Sequence, residues 1–124
     1  MLRFILPALV LSTTAFSAKA ESFDAMAYFK ERAFDALAIS RVADRLCTGL
    51  VLDQFQAKMS MESLKISGWN EIPRKHVERA LSGFENSTSD ACEYAWAMYG
   101  IGSGGQQNPG LRFLRRGVAN PFPR

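Results

Sequence analysis

The chain has 124 residues, with 15 Lys and Arg against 12 Asp and Glu, a formal net charge of +3 and an isoelectric point near 9.1. Hydrophobic residues make up 48% and charged residues 22%, a composition that is typical of a folded globular chain and excludes a disordered one. The length allows one small domain. One His and two Cys are too few for the usual zinc sites from this chain alone.

The first twenty residues have the pattern of a secretory signal peptide. Arg3 supplies a positive start, Phe4 to Phe16 form an apolar stretch, and Ala18-Lys19-Ala20 supplies the small-x-small cleavage pattern. The apolar stretch is shorter than the roughly 20 residues that a membrane-spanning helix needs. We therefore expect a signal peptide at residues 1–20, cleavage after Ala20, and a mature protein that is periplasmic or secreted.

Cys47 and Cys92 are the two cysteines of the chain. In an oxidising compartment, an even pair without CxxC spacing predicts a structural disulfide. Two free thiols, or a bridge between two chains, are the alternatives. A bond that closes a loop of this length stabilises a fold by roughly 4 kcal/mol, which is comparable with the whole stability of a small domain, about 5–15 kcal/mol.

Four segments have the 3.6-residue apolar period of helices. The first runs from Phe23 to Cys47 and the second from Leu50 to Ser67. The third is capped by Asn70 and ends near Gly83, and the fourth runs from the cap Asp90 to Tyr99.

Leu111, Leu114 and Val118, at i, i+3 and i+7, predict one further short helix. No stretch has clean strand alternation, so we predict no strands. The predicted fold is all-α: a small bundle of four to five helices stapled by one disulfide, spanning residues 21–117. It includes a Gly-rich loop at 100–110 and is followed by a flexible tail at 118–124.

Two features could indicate chemistry. Gly100 to Gly105 match GxGxxG, but a helix rather than a strand precedes them, so we expect a connector and no cofactor. His76 is the only histidine and lies in a charged run, where we predict a partly solvated helix residue. Its spacing nominates no catalytic partner, although carboxylates that converge on His76 in the fold would favour an enzyme. We expect no enzyme and no metal site.

Charge is distributed unevenly along the mature chain. From Glu21 to Glu93 there are 9 basic and 12 acidic residues, a net charge of −3, whereas four arginines and no acid follow Glu93. The candidate contact residues for an envelope protein, or for an anionic membrane surface, are Arg112, Phe113, Arg115 and Arg116.

The alternative, which we favour, is that Leu111 and Leu114 close the core while the arginines are solvated or pair with the acidic body. Nucleic acid is disfavoured as a partner, because the chain carries no recognised binding motif. The aromatic residues Trp69, Trp96, Tyr94 and Tyr99 are expected at the core and its rim, or, with Phe113, as the lining of a groove.

Several short motifs follow one another in a characteristic order: Ala43-Asp44-Arg45-Leu46-Cys47 at a helix end, the turn Gly68-Trp69-Asn70-Glu71-Ile72, Cys92 opening a late helix, and the basic, apolar end Leu111 to Arg116. In these motifs, from roughly Val42 to Arg116, the chain resembles a family of small exported helical proteins of Gram-negative bacteria, classified as a domain of unknown function. The resemblance implies an all-helical domain with a Cys pair and transfers no functional residue.

These features together predict a non-enzymatic binding or accessory protein of the bacterial cell envelope. A periplasmic acid-stress chaperone and a toxin-immunity protein are the alternatives, followed by an enzyme.

Overall fold

A computed structural model describes residues 24–104 and 110–117 of the chain. Within these residues the elements are, in order, α1 (Ala25–Leu46), β1 (Leu50–Leu52), α2 (Gln54–Ser63), a 3₁₀ turn (Trp69–Glu71), α3 (Arg74–Asn86), α4 (Thr88–Tyr99) and β2 (Leu114–Arg116). The predicted signal peptide, the tail at 118–124 and the middle of the Gly-rich loop lie outside the described residues.

Helix α1 is the central element, and it packs against α3, α4 and β1. It begins at Asp24, whose carboxylate accepts a hydrogen bond from the backbone N–H of Ala27. Its buried face is rich in alanine, which lets neighbouring helices approach closely; Ala33, Ala36 and Ala43 are fully buried. Residues 24–29, at the start of the helix, are exposed.

A two-stranded antiparallel sheet corrects the prediction that the fold has no strands. β1 pairs with β2 so that Leu50 faces Arg116 and Leu52 faces Leu114. The predicted second helix therefore begins later, after Asp53, whose carboxylate accepts from the backbone N–H of Gln56. The predicted last helix is wrong over Leu114–Arg116, and Val118 lies outside the described residues.

The physical reason for this correction is tertiary. The apolar residues of a stretch as short as β1 or β2 are compatible with either a helix or a strand. The pairing of β1 with β2, more than sixty residues apart, decides between them. Further hydrogen bonds hold the pair in place: Asp44 accepts from the backbone N–H of Leu52, and the backbone N–H of Phe113 donates to the carbonyl of Tyr99. These partners are nearby only in the folded chain.

One hydrophobic core joins the helices and the sheet, and Phe113, Leu37 and Leu114 are its largest fully buried apolar side chains. The predicted disulfide between Cys47 and Cys92 is confirmed. It links the end of α1 to α4, with the two Cα atoms 5.7 Å apart. The prediction of a mostly helical, disulfide-stapled fold is thus confirmed, with four helices and a small sheet in the described residues.

Candidate functional site

The basic C-terminal segment, Leu111–Arg116, is built into the body of the protein. Phe113 is 1% exposed and Leu114 is fully buried, so both side chains belong to the core. Phe113 is therefore wrong as a surface contact residue. β2 pairs with β1, which itself packs against α1, so the segment is held on the body of the protein.

Each arginine of this segment has a partner within the molecule. Arg112 Nη1 donates to the carbonyl of Gly100 at 2.7 Å and to Ser103 Oγ at 2.9 Å. Arg115 Nε donates to a carboxylate oxygen of Asp53 at 2.6 Å.

The Arg116 guanidinium lies over the ring of Trp96, 4.3 Å from its centroid. The alternative favoured from the sequence therefore describes the segment well: the leucines close the core and the arginines bind the body.

Asp53 ties this segment to the rest of the fold. Burial acts to raise the pKa of its carboxyl, but the backbone N–H of Gln56 and the Arg115 guanidinium outweigh burial and hold that pKa below its ordinary value. The charged carboxylate is thereby favoured at neutral pH. It caps α2 and anchors β2 at the same time.

Two glycines of the GxGxxG run have a structural role in the backbone. A Cβ atom on Gly100 would lie 2.3 Å from a ring atom of Trp96, so only glycine fits beneath that ring. Gly102 has a φ of +84°, a left-handed conformation that favours glycine. Helix α4 precedes the run, as the sequence indicates, and the strand that a dinucleotide site requires is not there within the described residues.

His76 lies at the contact of α1 and α3, and two carboxylates of α1 converge on it. Its side chain is 2% exposed, so the prediction of a partly solvated residue is wrong. Nδ1 lies 2.5 Å from Asp35 Oδ1, and Nε2 lies 3.1 Å from Glu31 Oε2. The second contact is short but lacks the direction of a hydrogen bond, and Nε2 is buried without such a partner.

Charge complementarity between the two helices explains this arrangement. Glu31 and Asp35 are one turn apart on α1 and face the basic side of α3. Arg79 Nη1 lies 3.3 Å from the same Asp35 oxygen, and Lys75 Nζ lies 3.9 Å from Glu31 Oε2. The i, i+4 spacing in both helices is the signal by which the sequence could have indicated this contact.

A small cavity of ≈ 190 Å³ lies beside His76, with Tyr94 and Tyr99 in its wall. It is smaller than the roughly 300–1,000 Å³ of most ligand pockets. Burial, followed by the neighbouring Tyr94 and Asp35, raises the pKa of Tyr99 to about 12, so its phenol stays protonated at neutral pH. Catalysis through His76 would need a ring nitrogen that faces a substrate or nucleophile. Two carboxylates do converge on His76, the arrangement expected to favour an enzyme, but they face both ring nitrogens.

A larger groove lies between α1, α3 and the 3₁₀ turn. Its volume is ≈ 450 Å³, within the range of small-molecule sites. Apolar side chains make its floor, and the exposed Leu46 and Leu81 stand at its rim, 48% and 39% exposed. The floor residues are Ala38, Val42, Ile72 and Val77. We refer to it as the α1–α3 groove.

Two arginines and one tryptophan complete the lining of this groove. Arg41 and Arg45 are one helical turn apart on α1, and both are exposed. The Arg41 guanidinium lies over the Trp69 ring, 4.8 Å from its centroid. Among the described residues, none of the side chains that line the groove is acidic, and no salt bridge joins either arginine to a carboxylate.

Sequence reasoning missed this groove, although part of its signal was visible. Arg41 and Arg45 interrupt the apolar face of α1 beside Ala38 and Val42, which places two cations at the edge of an apolar surface. Trp69 was expected at the core or its rim, or in the lining of a groove with the other aromatic residues and Phe113. It forms one wall of this groove, whereas Phe113 is buried in the core and no other aromatic residue of the described part of the chain lines the groove. The turn that brings Trp69 there could not be positioned from the sequence.

Glu71 holds this turn in place. Its carboxylate accepts from the backbone N–H and the hydroxyl of Ser67, and it lies 2.8 Å from Lys30 Nζ on α1. These contacts, with Lys30 the largest, lower the pKa of Glu71 to about 2. The wall of the groove is thereby fastened to α1 by a charged group.

Other apolar side chains are exposed away from the groove. Met26 and Phe29 lie on the first turns of α1, and Phe55 and Met59 lie one turn apart on α2. No helix in the described part of the chain is long and apolar enough to cross a membrane. Residues 24–104 and 110–117 also hold no group of three His, Cys, Asp or Glu side chains arranged to bind a metal ion.

The chain was compared with protein-family models, with curated proteins and with solved structures, and none of the three comparisons gave a match.

Proposed function

We propose that this chain is a non-enzymatic binding protein of the bacterial cell envelope and that its ligand occupies the α1–α3 groove. The observation that supports this most directly is the groove itself. It is an open depression of ≈ 450 Å³ with an apolar floor, at the surface of a domain that has a single hydrophobic core. Leu46 and Leu81 expose apolar surface at its edge, which a bound ligand would cover.

The cellular location is the second part of the proposal. An intramolecular disulfide indicates an oxidising compartment outside the cytosol. The signal-peptide pattern of residues 1–20 supports export, with cleavage after Ala20, to the periplasm or beyond. In that compartment the ligand would be a component of the envelope.

The groove is a better candidate contact site than the basic C-terminal segment. Phe113 is buried, and the guanidinium groups of Arg112, Arg115 and Arg116 already bind internal partners. A partner would have to compete with those contacts. Arg41 and Arg45 face no such competition from a carboxylate among the described residues.

A fluorescent probe tests the proposal. N-phenyl-1-naphthylamine is uncharged and fluoresces in apolar surroundings, so we expect the disulfide-bonded mature protein to enhance its emission. Leu81→Glu places a charge at the rim of the groove and should abolish the enhancement. Phe55→Glu is the matched control, because Phe55 is 67% exposed and lies outside the groove. Equal probe binding by both variants would refute the assignment, provided that circular dichroism shows both to be folded.

One observation favours a second candidate function, the acid-stress chaperone. Carboxylates link distant elements of the fold: Glu71 with Lys30, and Asp53 with Arg115. Their protonation in strong acid would loosen these links and expose apolar helix faces. Protection of a client protein from aggregation at about pH 2–3, with no protection at pH 7, would support this candidate over a binding protein that acts while folded.

A further inference from the structure

We infer that the ligand of the α1–α3 groove is a medium-chain fatty-acid carboxylate, with its alkyl chain along the apolar floor and its carboxylate at Arg41 and Arg45. This inference rests on the proposed function, and it adds the chemical class of the ligand. Three properties of the groove support it: its charge, the chemistry of its floor and its dimensions.

The charge of the groove is unbalanced in one direction. Arg41 and Arg45 stand one turn apart on the same edge, and the described lining contains no acidic side chain. Two arginines of the described residues do pair with a carboxylate of the protein, Arg79 with Asp35 and Arg115 with Asp53. An anionic group on the ligand would therefore supply the missing counter-charge.

The position of Arg41 also suits a carboxylate. Its guanidinium lies over the Trp69 ring, 4.8 Å from the centroid, and stacking of this kind covers a face of the planar group and leaves its N–H edge available. That edge can donate two parallel hydrogen bonds to one carboxylate. Arg45 is one turn further along α1 and can bind the same head group from its other side.

The floor of the groove favours an alkyl chain over an extended peptide. Ala38 and Val42 come from α1 and Val77 from α3, and helical backbone groups bond within their own helix. An extended peptide pressed onto this floor would lose hydrogen bonds to water and find no replacements, which is costly. A hydrocarbon chain has no such groups to satisfy.

The dimensions of the groove agree with a single chain. From Ala38 to Leu46, helix α1 rises by about 12 Å at 1.5 Å per residue. A volume of ≈ 450 Å³ accommodates one small molecule but not a second helix along its whole length. The exposed Leu46 and Leu81 would flank the alkyl chain.

Calorimetric titration of the mature, disulfide-bonded protein with fatty acids below their micellar concentrations tests the inference. For octanoate, decanoate, dodecanoate and hexadecanoate, we expect affinity to rise by about two- to fourfold per added methylene until the groove is filled, and then to level off. The double variant Arg41→Gln/Arg45→Gln should bind dodecanoate about tenfold more weakly. Arg74→Gln/Lys75→Gln, at two exposed basic residues outside the groove, is the charge-matched control and should bind as the unmodified protein does.

Dodecanol separates the inference from the proposed function on which it rests. If dodecanol and dodecanoate bind equally well, and the arginine variants change neither affinity, the groove holds apolar ligands but the carboxylate assignment is wrong. If neither compound binds although N-phenyl-1-naphthylamine does, the inference fails and the proposed groove stands. If Leu81→Glu leaves both affinities unchanged, the groove is not the binding site and both proposals fail. Binding of an acidic amphipathic peptide in the groove, without binding of any fatty acid, would also overturn the inference.

Discussion

The arginines of the C-terminal segment and those of helix α1 differ in their surroundings. Arg112, Arg115 and Arg116 bind a carbonyl, a carboxylate and an aromatic ring of their own protein. Arg41 also stacks on a ring, that of Trp69, but Arg41 and Arg45 border an apolar groove and pair with no carboxylate of the described residues. A cluster of charge in the sequence is therefore a poor guide to where charge is available for a ligand.

Electrostatic attraction explains part of the difference. The C-terminal segment carries no acidic residue of its own and folds back on a body whose net charge is −3, where Arg115 finds the carboxylate of Asp53. Arg112 and Arg116 bind uncharged groups instead. Arg41 and Arg45 instead lie beside an apolar surface, where a carboxylate of this chain would itself be partly desolvated at a cost. The available cations are thus those next to the apolar groove.

The strongest test of this comparison replaces the buried aromatic residue of the C-terminal segment. Phe113→Ala should lower the free energy of unfolding by about 3–5 kcal/mol, because it removes a fully buried ring from the core. Phe55→Ala, at an exposed position on α2, should change it by less than about 0.5 kcal/mol. Urea unfolding with the disulfide intact measures both values.

Similar small losses in both variants would show that the C-terminal segment is not docked, and the sequence-based contact surface would then regain support. If Phe113→Ala does not fold, Phe113→Leu provides a milder version of the same measurement, with an expected loss below that of alanine.

The next test concerns His76, which resembles the C-terminal arginines in having internal partners. His76→Leu should cost about 1.5–3 kcal/mol, because it removes the hydrogen bond to a charged carboxylate between α1 and α3. His76→Asn keeps a donor near the position of Nδ1 and should recover part of that loss. Chemical unfolding of both variants supplies the comparison.

An unchanged stability in His76→Leu would mean that the convergence of Asp35 and Glu31 on His76 is not structural. A catalytic role for this cluster would then become the better explanation.

A smaller effect separates the two groups of arginines directly. Arg115→Gln should destabilise the protein by up to about 1 kcal/mol, because it removes an ion pair with Asp53. Arg45→Gln should leave the stability within about 0.5 kcal/mol of the original. Added salt should reduce the effect of Arg115→Gln, since screening weakens the ion pair. Equal losses in the two variants would contradict the comparison.

The smallest effect is expected for Glu71, which fastens the wall of the groove, and concerns the stability of the protein at low pH. The pKa of Glu71 is about 2 in the folded protein, below its ordinary value, so its contribution to stability is present above about pH 4.5 and disappears as the pH falls towards 2. In Glu71→Gln this part of the pH dependence should be missing. Thermal unfolding from pH 6 to pH 2 reveals the difference, and identical profiles would show that Lys30 and Ser67 do not stabilise the carboxylate.

Several features of the fold could be predicted from the sequence because they depend on local signals. The long apolar period from Phe23 to Cys47 indicated α1 to within a few residues. The pairing of Cys47 with Cys92 followed from their number and the absence of a CxxC motif. The prediction that a helix precedes the GxGxxG run is confirmed.

The errors share one physical origin. Leu50–Leu52 and Leu114–Arg116 are too short for periodicity to identify, and each becomes a strand because the other supplies hydrogen-bond partners. The sequence predicted a partly solvated His76 because its partners, Glu31 and Asp35, lie more than forty residues away in the chain. Contacts of this kind depend on how helices pack.

The sequence by itself determined the mostly helical class, the disulfide and the amphipathic character of the C-terminal segment. Composition, periodicity and the number of cysteines indicate these features without any knowledge of how distant residues pack. Only the tertiary structure decided which charges are neutralised and which face an apolar groove. The partners of a guanidinium are the groups that the fold brings within a few ångströms of it. For Arg115 that is Asp53, and for Arg41 it is the face of Trp69, brought there by a turn that Glu71 fastens to α1.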